Sequence, residues 1–245
     1  MQLQFIGTGD SESMCFHNTN LLIKHNHKRI LIDCGWTAKQ ALYDIGLGIC
    51  DIDAIFITHV HGDHVFGLER FGFESRYVHD GHRIQLFVPA SVLPYLWNEC
   101  LKGSMGYSSD GVNTLADFFD VHIVDEPHFT WHGIQFDIFP TTHTVGKPSF
   151  GVRVPHYFTF TSDTNVIEGF TEMVGDDKYI FHDGYVAHEF HPAHATVKSM
   201  KDYYGEQFIK RVYLVHYDDA IMEHTKEITG FAGCVQQGEM FECLI

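Results

Sequence analysis

Cationic side chains are scarce in this chain. Sixteen Lys and Arg face 32 Asp and Glu, giving a formal net charge of −16, and the cations are scattered without a cluster of four or more. Such a field repels a polyanion at long range unless a local basic patch overrides it, so tRNA is not expected as a partner. Long apolar runs are missing too. No stretch of about 18 apolar residues exists, so no membrane span is expected. The opening Met1-Gln2-Leu3-Gln4-Phe5-Ile6-Gly7 lacks a basic region and a long apolar core; it reads as a first strand rather than a signal peptide. The six cysteines (Cys15, Cys34, Cys50, Cys100, Cys234 and Cys243) contain no C-x-x-C pair and no regular spacing. They read as free thiols of a reducing cytoplasm, neither a disulfide framework nor metal ligands. Linkers, low-complexity segments and internal repeats are absent as well. At 245 residues and 44% hydrophobic, the chain can form one large α/β domain or two small ones.

Histidine is abundant, with 19 copies, and the densest cluster is the most informative. Ala54-Ile55-Phe56-Ile57 is a short apolar run with β-branched and aromatic residues, which reads as a buried strand. Thr58-His59-Val60-His61-Gly62-Asp63-His64 follows directly. A lone His-x-His is more often a surface loop than a ligand pair. Four coordinating side chains within six positions, at the end of a buried strand, are hard to obtain that way. Imidazole suits zinc and other late first-row metals, and the nearby carboxylate admits a second ion or a metal-bound water.

Elsewhere, strand-like runs alternate with turns. Leu3 to Ile6 is a strand ending in Gly7-Thr8-Gly9-Asp10. Asn20 to Ile23 and Arg29 to Ile32 form a hairpin turning at His25-Asn26-His27, and the second strand ends in Asp33-Cys34-Gly35. Thr37 to Ile45 and Ser91 to Leu101 have helical spacing, and Thr114 to Phe119 is a short helical turn. Further strands are expected at Gln85 to Val88, Val121 to Val124, Phe129 to His132, Gln135 to Pro140, Ser149 to Val154, Tyr157 to Thr161, Tyr179 to His182 and Arg211 to His216. Thr164 to Val174 is expected to be largely helical, and Thr196 to Tyr204 a helix. Strands followed by helices in both halves suggest two packed sheets with helices outside.

Three of these strand ends carry further candidate ligands: His143 after Pro140, Asp163 after Phe160, and His216 after Val215. Singly each is more often a turn or cap residue. As a set with Asp33 and the His59/His61/Asp63/His64 loop, they resemble the metallo-β-lactamase fold superfamily over nearly the whole chain. The resemblance implies an αββα sandwich, residues 1–245 as a single hydrolase domain, and two divalent metal ions, zinc with manganese as the alternative. It assigns His59, His61 and His143 to one ion, Asp63, His64 and His216 to the other, Asp163 as a bridge, and Asp33 as the residue that orders the loop. Aspartate rather than cysteine at the bridging position resembles the phosphodiester-cleaving and glyoxalase branches.

Two more residues narrow the branch. The segment from Tyr179 to Tyr185 followed by Pro192-Ala193-His194-Ala195-Thr196 is similar to ribonuclease Z, with Asp183 where that branch has glutamate. The resemblance implies that Asp183 orients His194 and that His194 protonates the leaving oxygen; without it, Thr196 would cap a helix and His194 would merely be exposed. The basic tRNA-gripping arm of ribonuclease Z has no room here, because only 19 residues, a hairpin, separate His143 from Asp163. A trimmed phosphodiesterase of this kind resembles the anti-Pycsar family of viral and bacterial proteins. That resemblance implies a cytoplasmic homodimer (host cytoplasm if viral) that hydrolyses 3′,5′-cyclic nucleotides, including cyclic CMP and cyclic UMP, to nucleoside 5′-monophosphates. Asp63 then helps orient the attacking water. Phe66, Tyr107, Tyr185 and Tyr217 are candidates for stacking the base, with Tyr107 on a flexible Gly103–Ser109 loop able to reach a partner subunit. The alternatives are a ribonuclease Z-like RNA phosphodiesterase, a glyoxalase-type thioester or lactone hydrolase, and a sponge that binds cyclic nucleotides without cleaving them.

Overall fold

The computed structural model describes every residue except 187, 188, 225 and 245. The chain divides into two compact units, one comprising Met1–Gly7, His17–Asp125 and Gln237–Ile245, the other Thr8–Phe16 and Glu126–Gln236. Each is built on a seven-stranded mixed sheet.

In the first unit, β2 (Asn20–His25) and β3 (Lys28–Ile32) form the expected antiparallel hairpin, and β1 (Gln2–Gly7) pairs antiparallel with β2. The β2–β3 hairpin closes through Asn26 and His27, both at positive φ (48° and 63°), the geometry of a two-residue primed turn. Helix α1 (Ala38–Asp44) leads to β4 (Ala54–Phe56), which lies parallel to β3. All three β4 residues are buried, as befits a central parallel strand covered on both faces. A single turn, α2 (Gly62–Val65), carries the histidine loop into α3 (Leu68–Tyr77). Helix α3 has no counterpart among the expected elements, although its buried residues Leu68, Phe71, Gly72 and Ser75 follow the spacing of one helix face. Strand β5 (Gln85–Pro89) pairs with β4 in parallel. The helix expected over Ser91–Leu101 is a π-helical turn over Tyr95–Leu101, continued by α4 (Lys102–Met105). Tyr107 is not on an irregular loop: it opens β6 (Tyr107–Ser108), hairpinned to β7 (Gly111–Val112). Strand β8 (Asp120–Val124) forms one edge of the sheet.

The second unit begins with a meander: β9 (His128–Trp131), β10 (Ile134–Pro140), β11 (Phe150–Val154) and β12 (Phe158–Phe160). The helix expected over Thr164–Val174 shrinks to α5 (Phe170–Val174), because Gly169 sits at φ 70°, outside right-handed helix geometry. Strand β13 (Tyr179–Asp183) runs parallel to β12, and after α6 (Val197–Tyr204) and α7 (Glu206–Ile209), β14 (Val212–Val215) runs parallel to β13. Helix α6 starts at Thr196, whose hydroxyl accepts from the Ser199 amide, a standard N-cap. Phe139, Phe170, Ile180, Met200, Val212 and Leu214 share one buried core. Strand β15 (Gly233–Cys234) joins β14, and β16 (Met240–Glu242) returns to pair with β1 in the first unit.

Candidate metal centre and acid–histidine pair

In the first unit the loop after β4 is ordered by one buried carboxylate. Asp33 follows β3 at φ 64° and is fully buried. Its Oδ1 accepts from the Thr58 amide at 2.8 Å, and its Oδ2 accepts from the Thr58 hydroxyl and from His64 Nδ1, each at 2.8 Å. Since the Thr58 hydroxyl donates to Asp33, it accepts from His59 Nδ1, 3.0 Å away. Both imidazoles are thereby fixed with the proton on Nδ1 and the lone pair on Nε2, the tautomer that metal ligation requires. Asp63 Oδ2 lies 3.2 Å from His64 Nε2, and the His59 ring stands 4.9 Å from that of His61 and 4.1 Å from that of His64. Backbone approach locks the loop further: a Cβ on Gly35 would fall 2.0 Å from the Asp63 carbonyl oxygen. Burial, reinforced by Asp33, pushes the Cys34 thiol well above its usual range, so it stays protonated.

The second unit carries candidate ligands at its own strand ends. His143, beyond β10, has Nδ1 3.0 Å from the Ala193 carbonyl, which again places the lone pair on Nε2. His143 Nε2 lies 3.5 Å, and His216 Nε2 3.3 Å, from the same Asp163 Oδ2. Asp163 Oδ2 is thus within reach of two imidazoles. These are His/Asp clusters of the kind that hold metal ions: within each unit, the ligand atoms of His59 and His61, of Asp63 and His64, of His143 and Asp163, and of Asp163 and His216 lie within 4.8 Å of one another.

Beside His143 and His216 sits a second pair. Asp183, at the end of β13, is fully buried, and its Oδ2 accepts from His194 Nδ1 at 2.7 Å and from the Thr164 amide at 2.9 Å. Burial raises the Asp183 carboxyl above its ordinary value, an effect that the His194 charge opposes. The His194 ring lies 4.8 Å from the His143 ring, edge to face, and 5.4 Å from the His216 ring at an interplanar angle of only 16°.

The four proposed stacking residues divide. Phe66 and Tyr107 are exposed, at 52% and 72%. Tyr185 is buried, with its ring tilted against that of His194 at 4.7 Å. Tyr217 is a correction: it is 1% exposed, its hydroxyl donates to the Val235 carbonyl and lies 2.9 Å from Thr8 Oγ1, and its ring packs edge-on against Phe16. It is a core side chain with its polar end satisfied. Sequence reasoning missed Thr58, Thr164 and the Ala193 carbonyl; only their adjacency to His59, Asp163 and His194 offered a signal.

Solved structures that superpose on the chain share one class of fold. They include a diphosphatase of the PhnP family (TM-score 0.78, 20% identity, 100% of this chain and 98% of that one) and the metallo-β-lactamase fold protein YhfI of Bacillus subtilis (0.75, 14%, 98% of each). The short form of human tRNase Z also superposes (0.65, 18%, 100% of each). The protein is therefore an α/β protein of the metallo-β-lactamase fold, the αββα class expected from its sequence. The profile of the anti-Pycsar protein Apyc1 family matches residues 1–241. Anti-Pycsar proteins Apyc1 from Paenibacillus xerothermodurans (37% identity, 89% of this chain and 88% of that protein) and from Bacillus phage 010DV004 (30%, 89% and 90%) are similar along most of their length. The chain belongs to the anti-Pycsar protein Apyc1 family.

Proposed function

We propose that the protein is a metal-dependent phosphodiesterase that opens 3′,5′-cyclic nucleotides, including cyclic CMP and cyclic UMP, to nucleoside 5′-monophosphates, and so removes an antiviral signal. The observation that carries the reading is the His194–Asp183 pair packed against His143 and His216. A buried carboxylate on Nδ1 orients an imidazole whose proton must then leave from Nε2, the arrangement of a general acid serving an alkoxide leaving group. A thioester hydrolase of the glyoxalase type has no need of such a pair, because a thiolate departs unaided, and a sponge needs no leaving-group acid.

The donor set fits two divalent ions. His59, His61 and His143 would hold one, Asp63, His64 and His216 the other, with Asp163 shared; zinc suits this nitrogen-rich set and manganese is the alternative. When bound, such a pair activates water and neutralises charge on phosphoryl oxygens. The chain's own contributions are distinct. Asp33 and Thr58 hold the tautomers of His64 and His59, the Ala193 carbonyl holds that of His143, and Asp63 accepts a hydrogen bond from the attacking water. His194 delivers its Nε2 proton to the departing 3′ oxygen while Asp183 stabilises the imidazolium before the proton is transferred. Phe66 and Tyr107 remain the exposed candidates for stacking the base. We take the protein to be a homodimer acting in the cytoplasm, the host's in the case of a phage; the exposed aromatics Trp36, Tyr43 and Phe66 give a second copy an apolar face.

The test is to incubate zinc- or manganese-loaded protein with cyclic CMP, UMP, AMP and GMP, a precursor tRNA and S-lactoylglutathione, and to identify products. Conversion of cyclic pyrimidine nucleotides to 5′-monophosphates, lost in His194→Ala, is expected. Recovery of every cyclic nucleotide intact, or cleavage that is indifferent to His194→Ala, defeats the reading.

A further inference from the structure

We infer that Tyr185, anchored by Asp10, is a positioning residue that holds the His194 ring, rather than a platform for the substrate base. The inference rests on the proposed role of His194 as general acid. An imidazole tied at Nδ1 alone can still swing about its bond to Asp183, sweeping Nε2 through an arc. Two flat surfaces limit that swing in the second unit. The Tyr185 ring lies 4.7 Å from the His194 ring at 33°, and the His216 ring lies 5.4 Å from it at 16°. The His194 ring thus packs against the rings of a tyrosine and a histidine, with the edge of His143 meeting it at 66°.

The tyrosine is itself held from three sides. His191 stacks on it at 5.0 Å and 28°. Its backbone amide donates to the Ala195 carbonyl and its carbonyl accepts from the Val197 amide, each at 2.9 Å, so the slab and the histidine it supports ride on one short bridge. Its hydroxyl hydrogen-bonds to Asp10. Asp10 is 1% exposed, accepts from the Glu12 amide at 3.0 Å, and donates its own amide to the Tyr217 carbonyl at 3.2 Å. That carbonyl belongs to the residue after His216, so the anchor of the tyrosine and the histidine ring that packs on His194 share one backbone segment. Burial, with Asp10 second, pushes the Tyr185 phenol up, so it remains an O–H donor to a carboxylate acceptor. Only 8% of Tyr185 is exposed, too little face to stack a base without moving His191 or His194.

A positioning role predicts dependence on the leaving group. Cyclic CMP expels an alkoxide that needs the His194 proton; bis(p-nitrophenyl) phosphate expels a phenolate that scarcely does. Tyr185→Leu removes the slab, and its kcat on cyclic CMP should fall about 10- to 100-fold, the scale of a misplaced reacting group, with KM changed less than about threefold. On bis(p-nitrophenyl) phosphate the loss should be several times smaller. Tyr185→Phe keeps the ring and drops the anchor, and Asp10→Leu drops the same anchor from the other side. Each should fall between the wild type and Tyr185→Leu, and their combination should be no worse than Asp10→Leu alone, because the bond between them is already lost there and Asp10→Leu also gives up the acceptor of the Glu12 amide. Should Tyr185→Leu fail to fold, the Phe variant and the Asp10→Leu cycle still decide the question.

Equal losses on both substrates, or a rise in KM at constant kcat, would overturn the positioning role; the latter would restore Tyr185 as a binding surface. His194→Ala is measured in parallel. If it keeps its rate on cyclic CMP, the general-acid reading fails first. If it loses that rate while the Tyr185 variants show no preference between leaving groups, only the present inference fails.

Discussion

Replacing Asp33 by Asn tests how one carboxylate controls a histidine loop. In the wild type, Oδ1 accepts from the Thr58 amide, while Oδ2 accepts from the Thr58 hydroxyl and His64 Nδ1. An asparagine has the same shape but one acceptor and one donor end. With its oxygen toward the Thr58 amide, its NH2 faces His64 Nδ1, which must give up its proton and accept. The proton then moves to Nε2 and blocks the nitrogen assigned to metal. With the amide flipped, its NH2 confronts the Thr58 N–H, two donors across 2.8 Å. The first orientation costs the fold little, and asparagine tolerates the φ of 64° at least as well as aspartate. We expect Asp33→Asn to fold with near-native stability but to lose affinity for one of two ions by about 10- to 100-fold, the usual effect of a second layer of ligand contacts, or about 1.4–2.7 kcal/mol. Asp33→Ala is different in kind. It strands two Thr58 groups and His64 Nδ1 in a fully buried site, at about 1–3 kcal/mol each, against a total domain stability of about 5–15 kcal/mol. Denaturant unfolding of both variants, with metal content measured after dialysis against buffered chelator, separates the effects. Two ions bound at wild-type affinity in Asp33→Asn, or equal destabilisation in Asn and Ala variants, would refute the tautomer argument.

Asp183→Asn should lower kcat on cyclic CMP about 100-fold, within the range of general-acid contributions, while leaving the metal-free protein more stable than wild type at neutral pH. Burial raises the folded-state carboxyl above its unfolded value, so the native state holds its proton longer. Wild-type stability then falls as pH rises from the unfolded to the folded value, and the variant escapes that loss; melts at pH 4 and pH 8 that show no growing difference would contradict it. Arg153→Met should destabilise by about 3–5 kcal/mol, the cost of stranding a buried charge. Arg153 grips the buried Asp177 through Nε at 2.6 Å and a terminal nitrogen at 2.8 Å, and a shift in the urea midpoint reads the outcome.

The residues legible in the sequence are those whose chemistry and context are local. The loop from His59 to His64 announces itself because an apolar strand and four candidate ligand side chains adjoin. The β2–β3 hairpin was legible because a short polar turn, read as His25-Asn26-His27, separates two apolar runs. Helix α3 was equally local and was overlooked, its apolar face diluted by Glu69, Arg70, Glu74 and Arg76. What could not be read depends on partners distant in sequence. Pairing of β1 with β16 joins Gln2 to Glu242, and no short window contains both. Tyr217 looked like a platform because it follows a ligand; its burial is decided by Thr8, Phe16 and Val235, which only the folded chain brings to it. Tyr185 was singled out for its ring, but the neighbours that determine what the ring does, Asp10 and His194, lie 175 residues before it and nine after it in opposite directions along the chain.

The strained positions show why the candidate ligands sit where they do. Asp33, Ser162 and His216 are non-glycine residues at φ 64°, 54° and 55°, and each lies just past a strand, β3, β12 and β14. A side chain in that region costs about 1–3 kcal/mol unless its surroundings demand it. Glycine would relieve the cost, and 22 glycines show that the chain uses it freely. At Asp33 and His216 the strained residue itself supplies the side chain proposed for the site, and at Ser162 the turn delivers the next residue, Asp163. Asp33, the loop from His59, Asp163 and His216 follow the carboxyl ends of strands that pair in parallel with a neighbour, whereas His143 follows β10, antiparallel to both of its neighbours; at each of these ends backbone pairing stops and a chain can turn without forfeiting ladder hydrogen bonds. A ligand placed mid-strand would be held as rigidly but would project perpendicular to the sheet into a packed layer. A ligand on a long loop would project outward but move. The left-handed turn immediately after a buried strand combines the strand's rigidity with a change of direction, and the backbone strain is the cost of having both.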